Sequence, residues 1–105
     1  MKKLAFGFAL LAVLSVGTAR ADDDAKELFE KKCAVCHGKD GKPTPMGQKM
    51  GAKDLTTLAD PKADVAPVVA SISNGKPPKM QAFKGKLSDA EIAALAKYIR
   101  NGMKH

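Results

Sequence analysis

The chain has 105 residues, with 18 Lys plus Arg against 11 Asp plus Glu, two cysteines, a single Tyr and no Trp. That length allows one small domain, and no repeat, low-complexity tract or internal linker divides it. The formal charge of +7 includes Lys2, Lys3 and Arg20 of an N-terminal export segment; without them about +4 remains, which is not the balance of a nucleic-acid binder.

Lys2 and Lys3 are followed by an uncharged, largely apolar run from Leu4 to Val16 and then by Gly17-Thr18-Ala19-Arg20-Ala21. These are the three parts of a secretory signal peptide. The apolar run, about 13 residues, falls short of the roughly 20 that a spanning helix needs, so no membrane anchor is expected. Cleavage is expected after Ala21, with Ala19 as the near alternative. Residues 1–21 are then a signal peptide and 22–105 one exported domain. Such a domain, about 84 residues, lies near the lower limit of what an apolar core holds together alone. With so few aromatic side chains, something else must fill that core.

Asp22-Asp23-Asp24 opens the first helix, with carboxylates at the positive end of its dipole and one of them as N-cap. Leu28 and Phe29 form its inner side, and Phe29 should pack against the last helix. The helix runs into Cys33-Ala34-Val35-Cys36-His37, which takes up both cysteines of the chain. In a helical segment Cys33 and Cys36 lie one turn apart on one face. Cys-x-x-Cys-His at this spacing is the pattern of c-type haem attachment: two thiols bond the porphyrin and His37 supplies an axial ligand. A thioredoxin-like dithiol is expected beside a βαβ pattern, and no strand run is evident here. Structural zinc needs four ligands, and the only other histidine is the terminal His105. A disulfide between cysteines three apart closes too small a loop to stabilise much.

Gly38 to Gly47 is dense in glycine and proline and reads as a loop. A backbone carbonyl there, from Pro43 or Pro45, is expected to accept the second ring N–H of His37. Asp54 caps a short helical turn to Leu58. A helix follows from Asp64 to Asn74, with Val65, Val68, Val69 and Ile72 on one face, Pro67 in its first turn and Gly75 as a left-handed cap. Next come Pro77-Pro78, expected to make an extended strap that presents Met80 to the open face of the haem. A thioether is a soft ligand for haem iron, and a His/Met pair raises the reduction potential. Met46 and Met50 stand close to the His37 loop, and Met103 lies beyond the last helix cap. The last helix carries a Ser88/Glu91 capping box and a Leu87/Ile92 staple. Its inner face is Ile92, Leu95, Ala96 and Ile99, with Tyr98 at the margin and Gly102 closing it. Three helices and loops without a sheet follow.

Phe29, the Cys33 to His37 pentapeptide, Pro45-Met46-Gly47, Met80-Gln81-Ala82-Phe83 and Tyr98 in a final helix, in this order, resemble the class I c-type cytochromes. The likeness is to the small bacterial monohaem carriers similar to cytochrome c6 and cytochrome c553. It covers nearly the whole exported chain; the departure is Gln81, where the family commonly has proline. The resemblance implies an all-α cytochrome c fold around one covalently bound haem c. It assigns Cys33 and Cys36 to covalent attachment and His37 and Met80 to the iron. It further implies haem attachment outside the cytoplasmic membrane, hence the periplasm. The expected function is that of a one-electron carrier, not an enzyme: a monomer that meets larger redox proteins at its haem edge. Lys76, Lys79, Lys84 and Lys86 flank Met80 and suit acidic docking surfaces. Two other readings stay open at this level: a haem sensor or enzyme with a labile sixth position, and a haem subunit of a larger oxidoreductase.

Overall fold

The computed structural model describes residues 21–104, with side chains from Asp24 onward. The expected signal peptide, apart from Ala21, and the terminal His105 lie outside the described residues. Five α-helices and a 3-10 turn follow in order: α1 (Ala21–Lys32), α2 (Ala34–His37), α3 (Pro45–Met50), the turn Leu55–Leu58, α4 (Ala66–Asn74) and α5 (Asp89–Arg100). Among the described residues there is no strand, only two isolated bridges, Lys76 with Met80 and Lys84 with Leu87. The three expected helices are α1, α4 and α5. Helix α1 is described from Ala21, and the three aspartates are themselves helical residues, so none of them is its N-cap.

Helices α1 and α5 pack together through small and aromatic residues in alternation. Ala25 and Ala96 are buried and let the backbones approach, while the Phe29 and Tyr98 rings meet at 5.3 Å between centroids with a 55° tilt. That tilted arrangement suits two aromatic quadrupoles. Tyr98, expected at the margin, is buried with Ile92, Leu95 and Ile99, because the α1 contact extends the inner face of α5 by one residue. Burial and the nearby Glu30 carboxylate together push its phenol pKa up. Val68 and Ile72 of α4 complete the core from the other side.

The helix ends follow local chemistry. Ser88 and Glu91 make both bonds of the capping box, at 3.0 and 2.8 Å. At the far end of α5, Gly102 N donates to Ile99 O and Met103 N to Tyr98 O, both at 2.9 Å, the paired bonds of a Schellman motif. Asp54 caps the 3-10 turn, its carboxylate accepting from Thr56 N at 2.9 Å. The end of α4 differs from expectation. Gly75 has φ 67° but ψ −169°, outside the left-handed helical region, so it is no left-handed cap. What it supplies is space: a Cβ there would collide with the Gln81–Ala82 peptide, which lies directly against it.

Candidate functional site

The pentapeptide is helical, as its spacing requires. Cys33 N donates to Phe29 O at 2.8 Å, and Cys33 O accepts from Cys36 N at 3.2 Å and His37 N at 2.9 Å. The helical path of α1 thus carries on through Cys33 into α2, which sets the two sulfurs one turn apart. Burial pushes the Cys33 thiol up to about 11, the opposite of the lowered value that a redox-active dithiol needs. A buried apolar setting suits a neutral thioether.

His37 donates from Nδ1 to the carbonyl of Lys53 at 2.9 Å. Since a carbonyl only accepts, Nδ1 carries the proton and Nε2 holds the free lone pair. Neither Pro43 nor Pro45 supplies this bond: the expected loop from Gly38 holds only as far as Thr44. Pro45 opens α3, with Thr44 as N-cap accepting from Gly47 N at 3.0 Å. Thr44 also donates through its hydroxyl to Val35 O at 2.8 Å, and its N–H donates to Cys36 O at 2.9 Å. Gly47 packs so closely on the Cys36 carbonyl that a Cβ would overlap it. These contacts turn α3 back onto α2, and the chain returns past His37 only at Lys53. Thr44-Pro45 is a readable helix start. The Lys53 carbonyl has no side-chain signal at all.

Met80 sits in a tight turn, not in an extended strap. The Pro77–Pro78 peptide is cis, Lys76 N donates to Met80 O at 2.8 Å, and Lys76 O accepts from Lys79 N at 3.1 Å and Met80 N at 3.0 Å. Where the family commonly has proline, the Gln81 side-chain oxygen accepts a hydrogen bond from the Lys86 ammonium. Beyond it Phe83 is buried, its N–H on Ile72 O at 3.1 Å.

Cys33, Cys36, His37 and Met80 all line one cavity of about 700 Å³, within the usual range for cofactor sites. Its apolar walls include Phe29, Leu55, Val68, Ile72, Phe83 and Ile99. Two thiols on one helix face, an imidazole fixed in one tautomer, a thioether and an apolar hollow fit a covalently attached haem. Of the other methionines, Met46 is 57% exposed, and Met103 is held with its Cε beside Gly41. Met50 also lines the cavity, carried by α3, the helix packed on the histidine-bearing α2.

Arg100 is a cavity residue that sequence reasoning missed. In the last turn of a helix it reads as a cation complementing the dipole, and only the fold shows where it reaches. Four lysines, Lys32, Lys53, Lys76 and Lys79, also line the cavity, and among the described residues that do so there is no carboxylate. Lys84 and Lys86, grouped with Lys76 and Lys79 by sequence, do not line it, although all four are exposed. The described residues contain no helix long and apolar enough to cross a membrane.

Residues 20–99 match the family described as cytochrome c oxidase, cbb3-type, subunit III. The chain is 41% identical over 76 residues to a cytochrome c6 from Leptolyngbya boryana, covering 70% of this chain and 82% of that protein. It is 34% identical over 87 residues to the cbb3-type oxidase subunit CcoP of Azospirillum brasilense, covering 79% of this chain but only 29% of that subunit. Among solved structures, the KustC0563 c-type cytochrome superposes with a TM-score of 0.64 at 32% identity, covering 72% of this chain and 93% of that one. With a matching fold, a cavity that fits the group and a cytochrome c6 matched over most of its length, this chain belongs to the c-type cytochromes, as a small class I member carrying one covalently bound haem c.

Proposed function

We propose that this cytochrome is an exported, periplasmic electron carrier in which Cys33 and Cys36 hold the haem and His37 and Met80 are its axial ligands. The observation that carries the reading is the convergence of these four side chains on one apolar cavity, with His37 pinned to Lys53 O. The haem, when bound, supplies a one-electron Fe(III)/Fe(II) couple. Cys33 and Cys36, one helical turn apart, fix its edge and orientation. The Nδ1–H bond of His37 orients the ring and raises the basicity of Nε2. Met80 offers a soft thioether that favours the reduced state. With both ligands in place no position is open to a substrate, which makes the protein a carrier and not an enzyme.

The cavity rim supports meeting larger redox proteins there. Val35 and Met50 are exposed at 59% and 38% and line the cavity together with four lysines, so that apolar surface and positive charge share its lining. Such positive charge steers a carrier onto an acidic surface and speeds encounter more than it tightens binding. The sequence reading of residues 1–21 as a signal peptide supplies the route out of the cytoplasm.

The test is to purify the exported protein. A mass equal to residues 22–105 plus one haem, with a reduced state that resists carbon monoxide, is the expected result. Ready binding of carbon monoxide by the wild type would remove Met80 from the iron and make a ligand-binding haem protein the better reading. A retained leader in the membrane fraction would make it an anchored carrier.

A further inference from the structure

Arg100 ends α5, and its half-buried side chain folds back onto backbone carbonyls. Nε and Nη2 donate to the carbonyl of Asp64 at 3.1 and 2.7 Å, and Nη1 donates to the carbonyl of Leu58 at 2.8 Å. One guanidinium thereby ties the last helix to both ends of the segment joining the 3-10 turn to α4. A guanidinium carries five N–H groups and keeps its charge throughout the accessible pH range. Three are used here, which leaves one on Nη1 and one on Nη2. Both of its partners are neutral carbonyls, and Arg100 lines a cavity whose described lining holds no carboxylate. The arrangement is a fixed, uncompensated cation with spare donors at the wall of the haem cavity. Lys32, Lys53, Lys76 and Lys79 also line it, but an ammonium on a flexible, strongly hydrated stem is not held in this way.

A haem brings two carboxylates, and a fixed guanidinium with free N–H groups receives a carboxylate through short, charge-assisted bonds. We propose that Arg100 anchors a haem carboxylate and that its charge biases the couple toward Fe(II). The sign follows from electrostatics. A carboxylate near the iron stabilises the extra positive charge of Fe(III); a cation bound to that carboxylate cancels the effect and raises the potential. The inference rests on the haem occupying this cavity as proposed above.

The test separates charge from tie in the holoprotein. Arg100→Lys keeps the charge but not the three bonds to Leu58 and Asp64, whereas Arg100→Gln loses both. Urea midpoints should fall for both variants. The midpoint potential should divide them: Arg100→Gln shifts the one-electron equilibrium about tenfold toward Fe(III), about 59 mV, while Arg100→Lys stays close to wild type. A wild-type potential in Arg100→Gln, or an equal fall in both variants, overturns the proposal and leaves Arg100 as a structural tie. Should either variant fail to accumulate, nuclear Overhauser contacts in the reduced wild type decide. Cross-peaks between the Arg100 side chain and the haem propionate methylenes are expected, and their absence overturns the proposal. Failure of the underlying site looks different: wild-type protein without covalent haem or without a methionine ligand.

Discussion

The two sides of the cavity are built differently. The segment from Cys33 to Leu55 is bonded to itself across its length: Thr44 to Val35 and Cys36, Gly47 against the Cys36 carbonyl, His37 to Lys53, and Leu55 N to Gly41 O at 2.8 Å. The segment from Gly75 to Leu87 carries Met80 at the tip of a turn closed on Lys76. Apart from the bond at its start from Gly75 N to Ser71 O at 2.9 Å, its ties to α4 lie beyond Met80, from Phe83 N to Ile72 O and Lys84 N to Ser73 O. Three of the proposed haem-holding residues, Cys33, Cys36 and His37, stand within one short segment on the first side, and a single thioether stands on the second. In the proposed ligation the histidine side thus holds the haem and the methionine side sets its sixth position.

Replacing Cys33 and Cys36 together by Ala should have the largest effect, because it removes the covalent hold altogether. No haem should remain on the polypeptide after acid-acetone extraction, and the chain should lose cooperative melting, since the haem fills much of a small core. Full covalent retention would sink the assignment of the histidine side. Met80→Ala, on the other side, should leave the haem attached while the potential falls and reduced protein takes up carbon monoxide readily. If that variant shed its haem, the division of labour between the sides would be wrong.

Gly47→Ala sharpens the contrast without touching a ligand. Its Cβ would push against the backbone of Cys36, and overpacking of this kind costs ~3 kcal/mol, read as a lowered urea midpoint. Ser88→Ala lies outside both segments and provides the scale for an ordinary defect: loss of the cap of α5 should cost ~1 kcal/mol with an unchanged potential. A change of potential in Ser88→Ala would mean that the sixth position responds to general loosening.

Asp54 gives the smallest effect. Bonds from the Thr56 side chain and backbone hold its carboxyl below the ordinary 3.8, so the folded state binds the proton less readily than the unfolded one. The stability it adds is complete above the ordinary value and is lost as the pH falls through the lowered one. Asp54 directly follows Lys53, whose carbonyl holds His37. Acid should therefore loosen the histidine side first, and Asp54→Asn should flatten that part of the acid titration, followed through the haem absorption. An unchanged acid limb would detach the cap from the hold on His37.

Much of the fold was readable because its signals are local. The Ser88/Glu91 box, the Asp54 cap, the apolar faces of α4 and α5 and the turn after α5 each depend on residues within one or two helical turns, and all of them appear. The departures have a common cause. Glycine and proline density points to a loop at Pro45 and outweighs the Thr44-Pro45 helix start. Composition points to an extended Pro77-Pro78 because it does not carry the bonds by which Lys76 closes a turn on Met80.

Order and spacing along the chain by themselves set the expected chemistry: Cys33, Cys36 and His37 at helical spacing, Met80 far downstream, and helices to enclose an apolar group. Those are properties of residues close in sequence or of side-chain type. The tertiary structure alone decided which backbone carbonyl holds His37, that Tyr98 is core, and that Arg100 belongs to the cavity. Lys53 is 16 residues from His37, and Leu58 and Asp64 are 42 and 36 residues from Arg100. A carbonyl is the same on every residue, so such a partner has no side chain to announce it and is chosen only when packing brings the distant segments together.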